Sequence, residues 1–165
     1  MTATASGLAG QRMLIAVHRH LRGELTRIGE AVDEIAGQRL TPEQARDLIN
    51  RSTMRQNYWT LGAFCAAYCR VVSMHHTIED ETLFPTLRRA DGGLGPVLDR
   101  LGEEHELIAG LLDGVDRALV ELISGRIGVD GVRAAVDELS AMLLSHLAYE
   151  EDELLEPIGE FSIVV

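Results

Sequence analysis

Aromatic side chains are scarce in this 165-residue chain, 4% in all. Leu, Ala, Val and Ile must therefore fill any core, a composition that suits packed helices. Cysteine is scarcer still. Cys65 and Cys69 are the only two, four apart on one predicted helix, and no Cys-x-x-Cys zinc pattern exists. The pair is read as small buried filler in a reduced compartment. Basic residues are outnumbered, with 15 Lys and Arg against 26 Asp and Glu and a formal net charge of −11. That balance argues against nucleic acid or any partner bound through a basic patch, and it favours cations. No window approaches the ~20 apolar residues of a membrane span. Met1 to Gln11 lacks a basic-then-apolar export signal. The expectation is a cytoplasmic protein with no membrane partner.

Hydrophobic residues make up 46% and charged residues 25%, enough for one globular domain with a real core. The apolar pattern is helical. Leu14, His18, Leu21, Leu25, Ile28, Val32 and Ile35 alternate steps of four and three, as in a bundle helix that ends at Gly37. Thr41-Pro42-Glu43-Gln44 has the form of a capped helix start. A break near Ser52 to Asn57 then leaves a short extra helix ahead of the main second one. Leu61, Phe64, Tyr68, Val71, His75 and Ile78 form the second seam, which closes near Pro85 and the Asp91-Gly92-Gly93 turn. Leu98, Leu101, His105, Ile108, Leu112, Val115, Leu119 and Leu122 form the third, ended by the glycines at 125 and 128. Asp130 is placed to cap a fourth helix carrying Val132, Val136, Leu139, Leu143, His146, Glu150 and Leu154. The expected fold is all-α: an antiparallel up-down-up-down four-helix bundle with a short extra helix between helices one and two. The domain spans 11–158. Residues 1–10 are a frayed start, and the apolar tail 159–165 packs on the bundle or frays.

Each seam carries one histidine. Counted from the helix ends, His18, His75, His105 and His146 fall within about three residues of a common depth, roughly 4.5 Å at 1.5 Å per residue. Two of them have a glutamate one turn on, in His75-x-x-x-Glu79 and His146-x-x-x-Glu150, so each pair shares a helix face. Leu83-Phe84-Pro85 follows the first pair and Leu154-Leu155-Glu156-Pro157 the second. A single seam histidine is ordinarily a hydrogen-bonded core residue, and an acidic run such as Glu79-Asp80-Glu81 is ordinarily a solvated face. Four imidazoles and two carboxylates in one core layer are costly unless paired or coordinated, and metal ions would satisfy them. Mixed imidazole and carboxylate donors suit iron better than zinc or manganese. His105-Glu106-Leu107-Ile108-Ala109 lacks the second histidine of a zinc protease motif. The Glu-x-x-His of ferritin-type carboxylate bundles is also absent, since Val72, Gly102 and Leu143 stand three residues before the histidines.

From about Met13 to Pro157 the chain resembles the hemerythrin-like (HHE cation-binding) proteins, bacterial type. The motifs are the lone histidine of helix one, His75-His76-x-x-Glu79 running into Leu83-Phe84-Pro85, Glu103-Glu104-His105, and His146-x-x-x-Glu150-Glu151. The resemblance implies two non-heme iron ions held by His18, His75, Glu79, His105, His146 and Glu150. Glu79 and Glu150 would bridge them, and an oxo or hydroxo group would complete the bridge. His20 should lie on the surface and His76 beside the ligands or in solvent, with Asp80 pairing with it on a neighbouring face. The oxygen carriers of this family have a further histidine where this chain has Ala109. That departure leaves six protein ligands and a more open site, which favours reaction over reversible carriage. Tyr149 borders the site, and Tyr58 reaches it only if the second helix is not straight. The implied function is binding, reacting with or sensing dioxygen, peroxide or nitric oxide, with catalase-like protection against oxidative stress as first choice. Iron handling or sensing without turnover stays open, as does a non-catalytic interaction module. The chain is expected to be a monomer or weak homodimer.

Overall fold

The computed structural model describes residues 4–37 and 52–165. The Thr41 capping motif and the short extra helix expected after it lie outside those residues, as does the side chain of Tyr58. Four long helices build the fold: α1 (Ala5–Gly37), α2 (Ser52–Ile78), α4 (Gly95–Ile123) and α5 (Val129–Glu160). A short helix, α3 (Phe84–Ala90), continues from α2 through a π turn at Glu79–Leu83, and a 3-10 turn at Gly92–Leu94 leads into α4. Around the bundle α1 packs on α2, α2 on α4, α4 on α5 and α5 back on α1. The described residues contain no strand.

Three of the four expected seams are the buried stripes of their helices, from Leu14 to Ile35 in α1, Leu98 to Leu122 in α4 and Val132 to Leu154 in α5. Each fully buried Leu or Ile contributes about 1.5–3 kcal/mol of transfer free energy, so these stripes dominate the packing. The α2 stripe runs elsewhere than expected. Leu61, Cys65, Tyr68, Val72, His76 and Glu79 are buried, while Val71 and His75 are at the border and Ile78 is 52% exposed. Beyond Leu61 the sequence allows two adjacent stripes, because Val71 and Val72, and His75 and His76, are neighbours of like type. Packing against α1 and α4 selects one of them. Cys65 and Cys69 are free thiols, the first buried and the second half-buried. Burial pushes the Cys65 thiol up to about 12, which agrees with a filler role.

Residues 5–10 and the C-terminal segment belong to the bundle, whereas a frayed start was expected over 1–10. Residues 5–10 are helical, and Gly7 and Gly10 are buried. A Cβ on Gly7 would run into the backbone carbonyl of Gly159, and one on Gly10 into that of Ile163. The missing side chains let the start of α1 lie directly on the end of α5, and Ile163 joins the core beneath. At the other end of α5, Gly128 is the N-cap residue and Asp130 sits inside the first turn without capping it. Gly7→Ala should cost about 1–3 kcal/mol, as overpacking does, and lower the thermal midpoint by several degrees. Gly29→Ala, which meets nothing within 4 Å, should be neutral or slightly stabilising. Equal midpoints for the two variants would contradict this close approach.

Candidate metal centre

Two apolar clusters make up the core, and a polar layer separates them. Leu14, Leu83, Phe84, Leu87, Leu98, Leu101, Leu154 and Ile158 lie to one side. Leu21, Val72, Ile108, Leu143 and Leu147 belong to the larger cluster on the other. In sequence, His18 falls between Leu14 and Leu21, His105 between Leu101 and Ile108, and His146 and Glu150 between Leu143 and Leu154. Burial is nearly complete: His18 and Glu150 are 0% exposed, His146 and Glu79 1%, and His76 and His105 5%.

The donors form two groups. His18, His75, Glu79 and Glu150 bring one ligand atom each to within 4.8 Å of one another, and so do His76, His105 and His146. All six residues expected from the sequence lie in this layer. His20 is exposed, as expected. His76 departs from expectation, because its ring is inside the layer and Asp80 pairs with His105 instead. Position 109, where the resemblance would put another imidazole, is exposed. Tyr149 is half-buried under the Arg100 guanidinium, 3.9 Å from its ring centroid, and is in neither group.

The glutamates link the two groups. Glu79 approaches His75 Nε2 at 3.0 Å with one oxygen and His105 Nε2 at 3.5 Å with the other. Glu150 Oε2 stands 3.5 Å from His18 Nε2 and 3.6 Å from His146 Nε2. The π turn helps to place Glu79. The Phe84 N–H donates to the Glu79 carbonyl five residues back, and the extra residue in the turn lets Glu79, Leu83, Phe84 and Leu87 all point inward.

Three carboxylates orient three imidazoles. His18 Nδ1 donates to Glu151 at 2.9 Å, His105 Nδ1 to Asp80 at 2.9 Å and His146 Nδ1 to Glu104 at 2.9 Å. Arg22 donates to Glu151 at 2.7 Å, and Arg100 to Glu104 at 3.0 Å. Because a carboxylate accepts, each Nδ1 carries the proton and each Nε2 lone pair faces the layer. By sequence Asp80 belongs to an acidic run of the kind that is ordinarily a solvated face, and Glu151 stands beside Glu150 with no role assigned to it. Their spacing holds a signal nonetheless, since Asp80 and Glu151 each follow a core glutamate directly and serve a histidine on another helix.

Charge is held down throughout the layer. Burial, opposed in part by Glu151, pushes His18 down to about 4. Burial and then the neighbouring His146 push His105 down to about 3. Burial also lowers His75 and His146. Burial pushes Glu79 up to about 8, and burial with the adjacent Glu79 charge raises Glu150 well above the usual carboxylate range. Seven buried atoms of this layer have no aligned hydrogen-bond partner among the described residues: Nε2 of His76, His105 and His146 and both carboxylate oxygens of Glu79 and Glu150. Each such atom costs about 1–3 kcal/mol, and buried polar atoms are otherwise almost always paired. Neutral imidazole lone pairs and carboxylate oxygens converging without partners fit the needs of divalent or trivalent cations.

An all-helical bundle with a His and Glu layer across its core defines a cation-binding helical bundle. The family model of the hemerythrin HHE cation binding domain matches residues 9–158, and the chain belongs to that family. No curated protein and no solved structure matches the chain. No helix among the described residues is long and apolar enough to cross a membrane.

Proposed function

We propose that this chain holds two non-heme iron ions and acts on a small oxidant, with decomposition of hydrogen peroxide to water and dioxygen as the first choice. The observation that carries the reading is the set of unpartnered, inward-facing donor atoms. His18 and His75 would hold one ion, His105 and His146 the other, and Glu79 and Glu150 would be shared. When bound, iron supplies Lewis acidity and electron exchange with the oxidant. Glu151, Asp80 and Glu104 fix the imidazole tautomers, which keeps the Nε2 atoms free of protons. The leucine and isoleucine layers on either side exclude water and strengthen every charge interaction between them. His75, whose side chain is 10% exposed, is the most accessible of the donors and marks the side from which a small molecule reaches the layer. A cytoplasmic setting agrees with the two free thiols.

A second reading is favoured by the enclosure of the site and by the cost of its unpartnered atoms. A bundle that gains much of its stability from the cation reports cation supply through its own folding. The same experiment separates the two. The chain is loaded with ferrous iron in air, its iron content and near-UV and visible absorption are measured, and peroxide consumption and oxygen release are followed. Two irons per chain with turnover are expected. Two irons without turnover would leave the sensor, and no iron in a folded bundle would overturn both and leave a non-catalytic interaction module.

A further inference from the structure

We propose that His76 is a metal ligand, the third imidazole of the ion held by His105 and His146, so that the adjacent histidines of the His75-His76 pair serve different ions. This deepens the two-iron reading and rests on it. Neighbouring residues on a helix point about 100° apart. His75 stands at the border of the α2 stripe and reaches sideways to His18, with Nε2 atoms 3.2 Å apart. His76 lies on the stripe itself, 5% exposed, and points at the other group. Its ring stacks on His105 with centroids 3.9 Å apart and planes 9° from parallel, and it meets His146 edge-on at 5.1 Å. Its Nε2 is buried and unpartnered.

Packing alone does not account for a histidine there. Phe84 stacks against the same His105 at 5.4 Å and 18°, and it does so with no polar atom to satisfy. A phenylalanine at position 76 would stack similarly and avoid the cost of the orphaned nitrogen. His76 Nε2 has a use only if something electrophilic stands among the three imidazoles. The group then offers three neutral nitrogens to one ion, in addition to the shared glutamates.

The test uses the full chain with His76→Ala and His76→Phe, each loaded with ferrous iron beside the wild type. Iron per chain and the near-UV and visible spectrum are read. One ion should be lost, or bound at least about tenfold more weakly, in both variants, with a changed spectrum. Free imidazole should restore the second iron and the spectrum to His76→Ala, but not to His76→Phe, whose ring fills the space. Should His76→Ala fail to fold, the phenylalanine variant and its metal-free melting curve decide, because a packing role would leave that variant with two irons. Two irons and an unchanged spectrum in a folded variant would overturn the assignment of His76 and leave the two-iron reading intact. Wild-type protein that takes up no iron would overturn both.

Discussion

Replacing Glu79 and Glu150 together by methionine should raise the melting temperature of the metal-free protein while abolishing its capacity for the cations. The two effects have one cause. Both carboxyls are essentially buried, they find little hydrogen bonding beyond each other, and burial pushes Glu79 up to about 8. Without a cation they are groups taken from water with little in return. Methionine is close in length and flexible enough to fill the same space between the apolar clusters. Exchanging buried charged groups for apolar ones of similar volume commonly gains about 1–4 kcal/mol, a rise of several degrees for a domain of this size. The same exchange removes every donor shared between the two groups, leaving only imidazoles. Calorimetry of the chelated proteins and metal analysis of the loaded ones check the two halves. A double variant that melts lower than wild type and still takes up two ions would refute the physical account of the layer.

Withdrawing the cations should destabilise the bundle by several kcal/mol. A ligand present at a hundred times its dissociation constant stabilises by about 2.7 kcal/mol, and the two proposed sites would add. The loss should also depend on pH, and its sign follows from the buried groups. In the metal-free fold His18 sits at about 4 and His105 at about 3, against about 6.5 when unfolded. The unfolded chain therefore takes up protons first, and stability falls as pH drops below about 6.5. Glu79, at about 8 when folded, works the other way. Its protonated form is retained in the fold, so its contribution is present at low pH and is lost as pH rises through about 8. The lowered imidazoles outnumber the raised carboxyls, so metal-free stability should peak near neutrality and decline on both sides. Loaded protein keeps its carboxylates ionised and should not show the alkaline decline. Denaturant titrations with and without chelator between pH 5 and 8 measure this. Equal stability of the loaded and chelated forms would refute the linkage of cation binding to folding.

Much of this was legible in the residues. The seams of α1, α4 and α5 follow a period that only a buried helix face explains, and His18, His105, His146 and Glu150 stand on it. Glu79 was legible from its spacing to His75. The partners of the imidazoles were harder to read. Glu151, Asp80 and Glu104 are acidic residues near a helix surface, like many that do nothing, and each serves a histidine on a different helix. The start of α1 gives little apolar signal because its buried positions are Gly7 and Gly10. Glycine is informative there only once the end of α5 lies against it.

The sequence by itself determined that the chain is a helical bundle and that four histidines, two of them with a glutamate one turn on, fall near one depth in it. Hydrophobic period and His-to-Glu spacing are local properties of a helix, and they survive without knowledge of its neighbours. Only the tertiary structure decided which of His75 and His76 lies on the buried stripe. Val71 and Val72, like the two histidines, are equivalent to a periodicity count, so two rolls of α2 about its axis, some 100° apart, satisfy the pattern nearly as well. The choice between them is made by the side chains of α1 and α4 against which α2 packs. That packing brings His76 to the group of His105 and His146 and leaves His75 to the group of His18.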